Sequence, residues 1–135
     1  MSLADRLDLS SYIQRVIETP VATHKWLWDR PYLGLIGTPD ISDLCLIASV
    51  LRNHLRSIGC RRPKVIAEKD AIIVRTKGRE YRFAKPPWLL RFDAMLEERY
   101  GRNLYLSAKE VFRVLKDSLR NCDFQLHSEG VVSCG

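Results

Sequence analysis

The chain is 135 residues long and 46% hydrophobic, with 22 Lys and Arg against 16 Asp and Glu, a net charge of +6. That length buries one core and is short for two, so a single globular domain over residues 1–135 is expected. No run approaches the roughly 18 apolar residues that a membrane span needs, and no apolar stretch follows a basic N-terminal region, which sets aside membrane and secreted classes in favour of a cytoplasmic protein.

In chain order, Ser11 followed by Gln14 has the pattern of a capping box, and Tyr12, Ile13, Val16 and Ile17 recur at helical spacing until Thr19-Pro20 stops them. From Val21 to Gly37 the chain is aromatic and broken by Pro31, Gly34 and Gly37; only a short turn of helix from His24 to Trp28 is expected there. Thr38-Pro39-Asp40 is a helix start, and Gly59 closes a long helix from Pro39 to Ile58. Ile41, Leu44, Cys45, Ala48, Leu51 and Leu55 form one stripe of it, and Leu46, Ile47 and Val50 cover much of the rest, as in a central helix packed on more than one side.

A basic segment follows. Arg52 to Lys85 holds eleven Lys or Arg against Glu68, Asp70 and Glu80, a surplus of eight where the whole chain has six. Within it, Lys77-Gly78 forms a two-residue hairpin turn that sets Thr76 opposite Arg79, Val74 opposite Tyr81 and Ile72 opposite Phe83 on one face. Arg75 then meets Glu80 and Ile73 meets Arg82 on the other. A strand from Lys64 to Glu68, joined through Lys69-Asp70, adds Val65 and Ala67 to the first face and Ile66 beside Ile73 on the second.

Pro86-Pro87 ends this meander, and Trp88, Leu89, Phe92, Met95 and Leu96 line a helix stopped by Gly101. Leu104 to Leu106 suits a short strand, and Ser107 with Glu110 makes a capping box for a last helix to about Asn121, ahead of an irregular tail over 122–135. The fold class is thus α+β: one domain, helices flanking a three-stranded antiparallel meander, with a long central helix.

The last helix carries Lys109, Arg113, Lys116 and Arg120 in a stripe about 60° wide opposite Val111, Phe112, Leu115 and Leu119. It is either a solvated face or a phosphate-binding one. The meander offers a second set. Two isoleucines, Ile66 and Ile73, on a solvent face imply a cover or a partner, and no aromatic residue interleaves the basic ones there, which argues against base stacking on the sheet.

Cys60, Cys122, His127 and Cys134 could supply a Cys3His zinc set but lack the close C-x-x-C pair of zinc sites; a disulfide from Cys122 to Cys60 or Cys134 competes with that use, and Cys45 belongs to the core stripe. No strained serine elbow occurs. Glu68, Lys69 and Asp70 occupy a tight turn and point apart, so no catalytic residue, metal or cofactor is expected. Trp26, Trp28, Pro31 and Tyr32 are core filling or interface hot spots. Arg outnumbers Lys fifteen to seven and Asn plus Gln number five, which fits a thermophilic source and equally a GC-rich genome.

Two functions follow. One is non-catalytic binding of nucleic acid, DNA-binding included, with phosphates met by Arg61, Arg62, Lys64, Arg75, Lys77, Arg79 and Arg82 of the meander and by Lys109, Arg113, Lys116 and Arg120 of the last helix. The other is a protein-interaction module, a homodimer, inhibitor or adaptor, using the aromatic segment 26–36 and the Ile66/Ile73 patch.

Overall fold

The computed structural model describes residues 8–29, 35–36, 46–101, 106–120, 122–123 and 133–134. Helix α1 spans Leu9–Glu18 and brings Leu9, Ile13 and Ile17, four residues apart, onto one buried face. Its N-cap is Asp8, not Ser11: the Asp8 carboxylate accepts from the Ser10 amide at 3.1 Å and from the Ser11 hydroxyl at 2.9 Å. A charged acceptor complements the helix dipole, and the earlier start adds Leu9 to the core. Those bonds hold the Asp8 carboxyl below its ordinary value, the Ser11 hydroxyl contributing most.

Helix α2, Val21–Trp28, is two full turns where only a turn near its end was expected. Pro20 starts it and its carbonyl accepts from the His24 amide at 2.8 Å; the buried residues Thr23, His24 and Leu27 mix polar with apolar, which hides the helical period. The expected helix start at Thr38-Pro39, with Ile41, Leu44 and Cys45, lies outside the described residues. From Leu46 the expectation holds. Helix α3, Leu46–Ser57, buries Leu46, Ile47, Ala48, Val50, Leu51 and Leu55, and packs against α1, α2 and the meander. Gly59, at φ 100°, ends it, with the Cys60 amide donating back to the Leu55 carbonyl at 2.9 Å.

The meander comprises β2 (Lys64–Ala67), β3 (Ala71–Thr76) and β4 (Arg79–Ala84), antiparallel in that order; β1 is the pair Leu35–Ile36. The register is the one expected, Val65↔Val74, Ile66↔Ile73, Ile72↔Phe83 and Arg75↔Glu80. Val65, Ala67, Ile72, Val74 and Phe83 join the core cluster, while Ala71 and Ile73 are buried, at 8% exposure each, outside that cluster. On the outer face the Arg82 guanidinium reaches Glu68, beyond the end of β2, at 3.3 Å, so its arm spans β3, where Ile73 is its register partner.

Helix α4, Pro87–Tyr100, buries Trp88, Leu89, Phe92 and Leu96, and the Trp88 indole donates to the Ile17 carbonyl of α1 at 2.9 Å. Strand β5, Leu106–Ser107, pairs with β1, and α5, Ala108–Ser118, follows behind the expected Ser107/Glu110 capping box. In the tail, β6 (Cys122–Asp123) and β7 (Ser133–Cys134) form an antiparallel pair with Cys122 opposite Cys134, where an irregular segment was expected. The architecture is α+β, with five helices among the described residues and one core cluster to which all five contribute along with the meander. Among the described residues, no helix is long and apolar enough to cross a membrane.

Candidate functional site

The capping box fixes where α5 begins, the Ser107 hydroxyl accepting from the Glu110 amide at 3.2 Å. Ala108, Val111, Val114, Leu115 and Ser118 are buried from that start, docking the helix on α4 and α2. The docked face sends Lys109, Phe112, Arg113 and Lys116, at positions i, i+3, i+4 and i+7, to the side that meets α2. There they line a cavity of about 290 Å³ together with Ala108 and with Leu27 and Trp28 of α2.

Two aromatic rings, Trp28 and Phe112, line this cavity, and a third, His24, packs against both. His24, buried within α2, lies 4.8 Å from the Phe112 ring and nearly parallel to Trp28 at 6.3 Å. Trp28 stands 6.1 Å from Phe112 and is 71% exposed. The Lys116 ammonium rests 4.7 Å above the Phe112 ring, a cation–π contact that holds the charge at the cavity edge.

Among the described residues, no carboxylate lines the cavity. Glu110 is engaged by the cap, and Asp117 binds Arg99 of α4 at 2.7 Å and Arg120 at 3.0 Å. The bond from Arg99 is the main cause that holds the Asp117 carboxyl below its ordinary value, with Arg99, Arg120 and Arg113 adding their charge. The structure therefore gathers Lys109, Arg113 and Lys116 of the expected stripe and turns Arg120 toward Asp117.

The meander cations divide as well. Arg75 pairs with Glu80 at 2.7 Å and Arg82 with Glu68 at 3.3 Å. Arg61, Arg62, Lys64, Lys77 and Arg79 are exposed and gather at the end of the sheet that carries the Lys77-Gly78 turn, since Lys64 opposes Arg75 and Arg79 opposes Thr76. This rim belongs to the layer packed on α3, whereas the cavity lies between α2 and α5.

The remaining candidates resolve into structure. Glu68, Lys69 and Asp70 are exposed in a turn closed by the Glu68 amide on the Ala71 carbonyl at 2.8 Å. His54 meets the Tyr12 hydroxyl at 3.3 Å; burial, then the charge of Lys25, pushes the imidazole below its ordinary value, and burial raises the Tyr12 phenol. Cys60 is a free, buried thiol, so it does not bridge to Cys122. His127 and the side chains of Cys122 and Cys134 lie outside the described residues, as do Pro31 and Tyr32. Among the described residues no three His, Cys, Asp or Glu side chains gather to hold a metal.

The sequence offers Trp28 only as core filling or an interface hot spot, apart from the basic stripe some eighty residues later, and only the packing of α2 on α5 joins the two. The chain matches no known family, and no similar curated protein or solved structure was found.

Proposed function

We propose that the protein binds nucleic acid without catalysis, through the cavity between α2 and α5. The observation that carries this reading is the convergence of Lys109, Arg113 and Lys116 on one concavity that, among the described residues, no carboxylate lines. Three cations held by a docked helix attract a polyanion by releasing its counterions, and the cost of placing them together is met by fixing the helix from its opposite face. The exposed rim of Arg61, Arg62, Lys64, Lys77 and Arg79 supplies a supporting field. Arg75, Arg82 and Arg120 are already engaged by carboxylates and contribute less.

The competing reading, a protein-interaction module, keeps Trp28 as its anchor but loses force at the Ile66/Ile73 patch, where Ile73 is buried and Ile66 half-buried. Fluorescence anisotropy with labelled duplex DNA, single-stranded DNA and RNA at two salt concentrations separates the two readings. Binding that weakens with salt, and that falls more than about tenfold when Lys109, Arg113 and Lys116 are replaced by Ala, is expected. No binding to any of the three probes at low salt would overturn the proposal.

A further inference from the structure

We infer that the cavity takes a single strand of nucleic acid, with one base stacked on the Trp28 indole and the flanking phosphates on Lys109, Arg113 and Lys116. This rests on the nucleic-acid reading above and narrows it. Duplex recognition by a helix requires a convex ridge that enters the major groove. The basic face of α5 is instead one wall of a concavity, because Trp28 projects from the end of α2 beside it, 71% exposed.

The same indole suits an unpaired base. An exposed large aromatic side chain costs water contact unless something covers it, and every base offers a π-face to stack against. Trp28 is held in place by the near-parallel His24 ring at 6.3 Å and the tilted Phe112 ring at 6.1 Å, which leaves its outer face toward solvent. At about 290 Å³ the cavity is near the lower limit of small-ligand sites, room for one planar group and its sugar. The cavity therefore sets an exposed ring beside three cations, a combination that the meander, whose outer face carries no aromatic side chain, does not offer.

The test is Trp28→Ala, measured beside the wild type against a single-stranded oligonucleotide, a duplex of the same sequence and a free mononucleotide at low salt. The substitution removes an exposed side chain, and circular dichroism checks that the fold survives. Single-strand affinity is expected to exceed duplex affinity and to fall about tenfold in the variant, the effect of losing one stacked base, with the salt dependence unchanged. Indole fluorescence should be quenched by the oligonucleotide, and the quenching should vanish in Trp28→Phe, leaving Trp26 and Trp88 as the remaining emitters. Binding of nucleic acid that Trp28→Ala leaves unaltered, a duplex bound as tightly as the strand, or a mononucleotide bound as tightly as the oligonucleotide would each overturn the inference while leaving the broader proposal standing. Absence of all nucleic-acid binding would overturn both.

Discussion

Lys77 has φ 53° and Gly78 φ 72°, so both central residues of the β3–β4 turn are left-handed, as a type I′ hairpin demands. Glycine adopts this conformation freely, but a lysine Cβ crowds its own carbonyl there, whereas Asn tolerates it. The turn is retained because the register it sets buries Ile72, Val74 and Phe83 together; one residue of slip would turn all three outward. Replacing Lys77 by Asn should therefore stabilise the protein by about 1 kcal/mol, read as a higher urea midpoint with an unchanged denaturant slope. A lower midpoint would mean that the interactions of the lysine side chain outweigh its backbone strain.

Lys85 and Asp93 tie the end of the meander to α4. Their ion pair is 2.7 Å long, and the side chains are 7% and 26% exposed. Burial raises the Asp93 carboxyl above its ordinary 3.8, with the charge and hydrogen bond of Lys85 pulling the other way. For a carboxyl whose folded value is raised, the stabilising contribution is complete below the unfolded value and is lost as pH rises through the folded one. Lys85→Met removes the opposing pull, so the folded value climbs further and the loss deepens. The variant should be less stable at neutral pH by about 3 kcal/mol, with the deficit narrowing as pH falls toward the ordinary carboxyl value of 3.8, because the folded Asp93 takes up its proton above that value. Urea unfolding at the two pH values checks this, and adding Asp93→Asn should recover most of the loss at neutral pH. A deficit that does not vary with pH would assign the effect to packing of the lysine stem instead.

Elements such as these were legible in the sequence where a local rule decides them. Strand alternation and one turn determine the meander register, and Ser107 with Glu110 marks the start of α5, because both depend on neighbours within a few residues. Legibility failed where local signals compete or a distant residue decides. The Asp8 cap was hidden by a nearer serine, α2 by the polar Thr23 and His24 on its buried side, and the ion pair across the outer face of the meander by an arginine two strands from its carboxylate.

At the scale of the whole molecule, net charge located a basic segment but not the site. The eleven basic residues from Arg52 to Lys85 include Arg75 and Arg82, which lie in ion pairs, while the three cations that converge on a cavity belong to α5. Which surface meets phosphate is therefore a question of how many charges act together, and the salt dependence of binding counts them. For a single strand, each neutralised phosphate lowers the slope of log K against log salt by about 0.7. Three contacts from Lys109, Arg113 and Lys116 give a slope of about −2, whereas joining the five exposed rim cations to them would carry it beyond about −5. The cavity and the rim belong to different layers of the fold, so a short oligonucleotide should give the smaller value, and each single Lys109, Arg113 or Lys116 to Ala change should flatten it by about 0.7. Replacing Arg61, Arg62 and Lys64 should leave the slope nearly unchanged for a short strand and reduce it for a long one that can reach both surfaces. A steep slope on a short strand would mean that rim and cavity form one continuous track, and would move the centre of binding from α5 toward the meander.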